Sequence, residues 1–276
     1  MTWRIAVAGK GTIGARVAAE LSAGRVAGCE LVAVLDSSSG ATVIGRALRA
    51  ADLLVEASTA EAARALLPRA LDAGRRVVLC SCGVLADRRV EFDLRRRGTV
   101  LGSGVMVPAG AIGGLDILGA AYRAAGRAVD RVFVRHTTTK GPAALGMNVT
   151  PTRPDVIFRG SAREAALAHP RTSNSSVALA LATAGLDAVE VVVVADPDAT
   201  RTRHRIELSS PVGRYDFAIE NAVSPGSGGR TSEITAWSVI DALEKLASCQ
   251  TPAGSRDLPP AGPGKRSPGR ELAPPS

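Results

Sequence analysis

The run Trp3-Arg4-Ile5-Ala6-Val7-Ala8 passes directly into Gly9-Lys10-Gly11-Thr12-Ile13-Gly14, and good helix formers follow from Ala15 to Leu21. A short apolar strand, a Gly-x-Gly-x-x-Gly turn and a helix in immediate succession leave few folds open. Gly9 permits the turn, Gly11 lets backbone come close to a pyrophosphate, and Gly14 lets helix and strand pack tightly. Phosphate oxygens are then expected on the free amides at the positive end of the helix, with Thr12 and Ile13 in the same turn. Glu30-Leu31-Val32-Ala33-Val34-Leu35 reads as a second strand, and Asp36 closes it. That acid lies about 20 residues beyond the turn, where the dinucleotide-binding fold places a ribose-binding carboxylate. A carboxylate there repels a 2′-phosphate and favours NAD, while Ser37, Ser38 and Arg46 nearby leave NADP open.

The same grammar repeats downstream. Leu53–Ser58 reads as a third strand, Thr59 to about Leu71 as an Ala-rich helix, and Arg76–Ser81 as a fourth strand. Asp87 to Arg97 is expected to be helical, and Thr99-Val100-Leu101 to be a fifth short strand. Strands alternating with helices predict a parallel, doubly wound sheet. In such sheets ligands bind at the carboxyl ends of the strands, which singles out Ser58 and the turn Ser81-Cys82-Gly83. The same small residues also suit ordinary strand-to-helix turns.

After Pro108-Ala109-Gly110-Ala111-Ile112-Gly113-Gly114-Leu115-Asp116, a helix is expected to about Ala124, and the pattern then changes. Arg131 to Thr137, Thr202 to Ser209 and Tyr215 to Glu220 alternate, whereas Ala188 to Ala195 is apolar apart from Glu190. The second region therefore reads as a mixed, largely antiparallel sheet with helices at Ser161–Ala168 and Ser175–Ala184. Thr231 to Ser248 reads as one long amphipathic helix. The fold class is α/β. A Rossmann dinucleotide-binding domain is expected over 1–107, completed by the helix over 231–248, and a catalytic domain over 108–230. From Thr251 to Ser276 the chain is rich in Pro and Gly with almost no apolar content, which predicts a disordered tail.

Composition narrows the function. At 276 residues there is enough chain for one large or two ordinary domains. No apolar run approaches the roughly 18–20 residues that span a bilayer. The first strand begins at the N-terminus and leaves no room for a signal peptide, so a cytoplasmic protein is expected. The net charge of +8 is mostly Arg spread singly through the chain, and aromatic content is 3%. A nucleic-acid surface would concentrate that charge and interleave stacking residues. Of the four cysteines, Cys80 and Cys82 continue an apolar strand and read as small buried hydrophobes. No second Cys or His pair completes a zinc set, so no metal is expected.

The chain has only three histidines. Strand alternation puts His204 on one face with Ile206 and Leu208, leaving Arg203, Arg205 and Glu207 on the other. An inward-facing histidine suits a satisfied core position or an acid/base group equally. His136 opens the run His136-Thr137-Thr138-Thr139-Lys140, whose hydroxyls and rare lysine suit either a carboxylate-binding loop or a plain polar one.

Taken together, these pieces resemble the L-aspartate dehydrogenase family from Ile5 to about Leu246. The resemblance is carried by Gly9-x-Gly11-x-x-Gly14, Gly110-Ala111-Ile112-Gly113-Gly114-Leu115-Asp116, Thr138-Thr139-Lys140 and Phe158-x-Gly160-x-Ala162-x-Glu164-Ala165. His169-Pro170 to Ala178 with Asn174, Ala195-Asp196-Pro197 with His204 beyond it, Glu220-Asn221 and Thr231-Ser232 complete it in family order. Thr139 stands where Arg is common in the family, and Thr172 where Asn is usual. The resemblance implies NAD(P)-dependent oxidation of L-aspartate to iminoaspartate, with the reverse amination. It implies His204 as the catalytic residue, Ala111 and Asn174 as cofactor contacts, and a small dicarboxylic amino acid held by Lys140, Thr138 and Thr139. A homodimer without nucleic-acid or membrane partners is expected. With His204 as base, the deaminating direction should lose activity as pH falls through an unperturbed imidazole value of about 6.5. Two other readings stay open: a similar two-domain dehydrogenase or imine reductase for another substrate, and a non-catalytic NAD-binding sensor.

Overall fold

A computed structural model describes residues 2–97 and 104–249. Its first sheet contains β1 (Trp3–Ala8), β2 (Cys29–Leu35), β3 (Leu53–Glu56), β4 (Arg76–Leu79) and β5 (Val105–Met106), in the order β2-β1-β3-β4-β5. All neighbours are parallel. Helices α1 (Thr12–Ser22), α2 (Ala41–Ala50), α3 (Ala60–Asp72) and α4 (Arg88–Arg96) alternate with these strands. The central strands are covered on both faces, so Leu53, Leu54, Val55 and Glu56 are all buried. That double covering is why they read as apolar runs rather than as alternating ones. The strand expected over 99–101 lies outside the described residues, as does the segment 251–276. The fifth strand of the sheet is Val105–Met106. Helix α2 had no counterpart in the sequence reading.

The second sheet contains β6 (Phe133–Lys140), β7 (Asp155–Ser161), β8 (Glu190–Ala195), β9 (Thr202–Ser210) and β10 (Gly213–Asn221), in the order β10-β9-β6-β8-β7. β6 and β8 run parallel and the remaining pairs antiparallel, giving the mixed sheet expected. Helices α5 (Leu115–Ala125), α6 (Ala162–Ala168) and α7 (Asn174–Ala182) pack against this domain. Alternation sorts β9 as its sequence foretold: Thr202, His204, Ile206 and Leu208 are buried, while Arg203 and Arg205 are exposed. The exposed side of β9 carries ion pairs from Arg203 to Asp196 and from Arg205 to Asp216. Strand β7 was not foreseen. Its residues are half-buried or exposed at the sheet edge, and its N-terminal flank carries Pro151 and Pro154.

The domains are joined by side-chain contacts and by the path of the chain. Arg163 of α6 is buried and donates to the carbonyl of Ala86 at 2.9 Å, to Glu91 at 2.7 Å and to Asp187 at 2.7 Å. It thereby joins α4 of the first domain to the second. The chain also returns: α8 (Ile234–Cys249) packs on α1, and Val239, Ile240, Leu243 and Ala247 share one core with Trp3, Ile5, Val7, Val17 and Leu21. Each large side chain buried there contributes about 1.5–3 kcal/mol of hydrophobic stabilisation.

Candidate active site

The first turn is built to come close to a ligand. Gly9 has φ +112°, and a Cβ on it would collide with the Ala57 carbonyl; one on Gly14 would collide with the Gly9 carbonyl. Gly11 differs, because nothing lies within 4 Å of where its Cβ would be. It caps α1 without a side-chain hydrogen bond, leaving the amides of Thr12 and Ile13 at an open helix N-terminus. An open cradle of backbone donors fits a pyrophosphate. At the end of β2, Asp36 accepts from Lys10 Nζ at 2.5 Å, from the Ser38 amide at 3.0 Å and from the Ser38 hydroxyl at 2.6 Å. The Lys10 hydrogen bond, followed by those of Ser38, holds its carboxyl well below the usual range, so it is ionised at neutral pH.

Between the two sheets lies a cleft of about 640 Å³. Ile13, Ser58, Ala111, Asn174, Lys140 and His204 all line it, so five separated sequence segments and a helix N-terminus converge there. The Ala111 carbonyl accepts from Asn221 Nδ2 at 2.8 Å, which holds the Pro108–Gly114 loop against β10. Asn174 starts α7, and its Oδ1 accepts from the Gly83 amide at 2.8 Å. The carbonyl oxygen of the side chain is thus committed to the first domain, and its amide donors are left for a ligand.

Lys140 is the last residue of β6 and is buried, donating to the Arg230 carbonyl at 2.8 Å. Burial lowers its ammonium to about 8, so it is still charged at neutral pH. His204 is 3% exposed, and its Nε2 has no hydrogen-bond partner. Burial, followed by the neighbouring His136 ring and the Lys140 ammonium, pushes it well below 6.5. The pH expectation is corrected on that ground: the imidazole stays neutral through pH 6.5.

Thr139 is not brought to the cleft. Strand β6 continues to Lys140 with strict alternation, so Thr138 and Lys140 are buried on one face and Thr139 lies on the other. Thr138 shares the buried face of Lys140 but does not line the cleft; its hydroxyl lies 3.3 Å from His204 Nδ1. The sequence reading also missed the cleft's arginines, Arg171 and Arg230, and the buried carboxylate beneath it. Glu56, fully buried at the end of β3, accepts from the Ser58 amide at 2.9 Å and hydroxyl at 2.5 Å, and from the Ser81 amide at 3.0 Å. An acid inside an otherwise apolar strand, followed two residues later by Ser, was the available signal. His136, read as part of a polar strand end, is fully buried behind His204.

Among the described residues no group of three or more His, Cys, Asp or Glu is placed to hold a metal ion, and no helix is long and apolar enough to cross a membrane. Cys29, Cys80 and Cys82 are buried free thiols.

A dinucleotide turn facing a histidine and a lysine across one cleft defines a nicotinamide-dependent oxidoreductase of two-domain build. Residues 9–108 match the family model for the NAD-binding domain of homoserine dehydrogenase, and residues 120–246 the one for the C-terminal part of aspartate dehydrogenase. The chain is 35% identical to an L-aspartate dehydrogenase of Bradyrhizobium diazoefficiens, over 88% of this chain and 91% of that one. It is also 35% identical to an L-aspartate dehydrogenase 2 of Bordetella pertussis, over 89% and 97%. The crystal structure of aspartate dehydrogenase from Thermotoga maritima superposes with a TM-score of 0.65 at 26% identity, covering 89% of this chain and 97% of that one. The chain belongs to the L-aspartate dehydrogenase family.

Proposed function

We propose that this protein interconverts L-aspartate and iminoaspartate with NAD as the preferred partner, the imine hydrolysing to oxaloacetate and ammonia or passing to NAD biosynthesis. The observation that carries the reading is His204 Nε2, a buried ring nitrogen with no protein partner in a cleft shared with Lys140. Buried polar atoms are nearly always paired, so an unpaired one in a cleft is a group kept for a substrate.

The open Gly11 turn, the helix N-terminus of α1 and the ionised Asp36 would hold NAD, with Ser58, Ala111 and the Asn174 amide on the nicotinamide side. When bound, the nicotinamide supplies the acceptor for a hydride from the substrate Cα. The charged Lys140 is suited to one substrate carboxylate, and Arg171 or Arg230 at the cleft wall to the other. Neutral His204 takes a proton from the substrate ammonium, which frees the nitrogen lone pair to form the C=N bond of the protonated imine as hydride departs. In reverse, the same nitrogen orients ammonia. Burial keeps the imidazole unprotonated, which is the form this step requires.

The division of labour follows the two sheets. A dinucleotide-binding unit closed by α8 faces a catalytic unit over 108–230. The enzyme is further read as a cytoplasmic homodimer. Analytical ultracentrifugation tests the oligomeric part.

The decisive assay follows NADH oxidation with oxaloacetate plus ammonium, against controls lacking ammonium and with His204→Ala. Ammonium-dependent turnover lost in the variant is the expected result. Turnover without ammonium overturns the reading in favour of a hydroxy-acid enzyme. NADH binding with no turnover overturns it in favour of another imine or a sensor.

A further inference from the structure

His204 does not stand alone. Its Nδ1 lies 3.1 Å from Nε2 of His136, and the ring centroids are 5.2 Å apart with 23° between planes, so the two rings meet nearly edge to edge. His136 Nδ1 in turn lies 2.8 Å from the hydroxyl of Ser176 on α7. All three side chains are buried, and the Thr138 hydroxyl bridges the two imidazoles at 3.4 Å from His136 and 3.3 Å from His204. Burial alone lowers His136 to about 4, so it is neutral and carries one ring proton.

The tautomers follow from counting protons. For His204 Nε2 to accept from a substrate, the ring proton of His204 must sit on Nδ1. That proton needs an acceptor; His136 Nε2 at 3.1 Å lies nearer than Thr138 Oγ1 at 3.3 Å, and it accepts only if His136 bears its own proton on Nδ1. Ser176 Oγ, 2.8 Å away, accepts that second proton. The opposite orientation, Ser176 donating to His136 and His136 donating to His204, places a proton on His204 Nε2. We infer that His136, held by Ser176, is a positioning residue that sets the tautomer and ring orientation of His204. This rests on His204 being the proton acceptor proposed above. It parallels the way a buried partner on the far nitrogen fixes a catalytic imidazole, here with a neutral ring in place of a carboxylate. A neutral partner suits a cleft that already contains the buried Lys140, because it adds no charge that would pull His204 towards the imidazolium form.

The test uses the full-length enzyme with NADH, oxaloacetate and ammonium, together with ¹⁵N NMR of the histidine rings. His136→Leu removes the acceptor. It is expected to lower kcat by about 10- to 100-fold with the KM for oxaloacetate within about twofold of wild type, the usual scale for removing an orienting partner. The ¹⁵N signature of His204 should change from a single tautomer, protonated on Nδ1, to a mixture. His136→Gln, whose amide oxygen can still accept, should recover most of kcat. Should His136→Leu fail to fold, Ser176→Ala serves: it frees His136 to flip its proton and should shift the same ¹⁵N signals and lower kcat. Wild-type kcat and an unchanged His204 signature in the folded variants, with His204→Ala inactive, overturn this inference alone. An active His204→Ala overturns the reading beneath it.

Discussion

Two buried polar groups sit at strand ends around the same cleft, and they are treated in opposite ways. Glu56, at the end of β3, has both carboxylate oxygens engaged by the amides and hydroxyls of Ser58 and Ser81. His204, in β9, keeps one ring nitrogen without any partner. A satisfied buried group fixes the backbone around it, and here it ties the turns after β3 and β4 into one platform. An unsatisfied one holds back hydrogen-bonding capacity for something that arrives from outside. Burial raises the pKa of the first against the pull of its hydrogen bonds and lowers that of the second, so in each case the low-dielectric interior disfavours charge. Only Glu56 has donors that oppose the effect.

The contrast can be broken from either side. His204→Ala should lose about 10²- to 10⁴-fold in kcat, the usual scale for a general base, with little change in the NADH dissociation constant. Glu56→Ala should instead act on the fold. It strands buried donors on two turns at about 1–3 kcal/mol each, which a denaturant titration reads as a lowered midpoint. If Glu56→Ala kept full stability and lost only kcat, the platform role assigned to it would be wrong. Lys140 sharpens the comparison by pH. Its ammonium is charged below about 8 and neutral above it, so anion anchoring is present at low pH and lost as pH rises through that value. The KM for oxaloacetate should rise above pH 8 by up to about tenfold per unit, as for any single-proton anchor. Lys140→Met should flatten that profile at the high-KM limit. The smallest effect is expected at Asp36: removing its carboxylate should shift the NADP-to-NAD ratio of kcat/KM towards NADP by roughly tenfold, since about 1.4 kcal/mol of repulsion would be relieved.

The first domain was the easier to read because its central strands are buried on both faces and are followed by turns of glycine or small residues. Leu53–Glu56 announces itself by composition. Helix α2, Ala41–Ala50, does not: it is short, contains Gly45 and buries only Ala47 and Leu48. The second domain was legible where one face is wet, as in β9. It was illegible in β7, whose edge position leaves Val156 exposed and blurs alternation. Lys140 and His204 could be singled out from residue type and strand face. The alternation over Arg131–Thr137 does not show where β6 stops, and its continuation to Lys140 turns Thr139 away from the cleft. The His136–His204 contact depends on the register that pairs His136 with Ile206 and Thr138 with His204 across β6 and β9. No local pattern encodes a pairing between residues 68 apart in sequence.

Helix α8 also has a consequence for how the chain is made. The side of the first sheet that contains Ile5 and Val7 is covered partly by Val239, Ile240 and Leu243, so strand β1 is made long before the helix that completes its cover. Until then α1 covers only part of that apolar face. A truncation before Ile234 would leave that face permanently open, a surface for chaperones to hold and for aggregation to exploit.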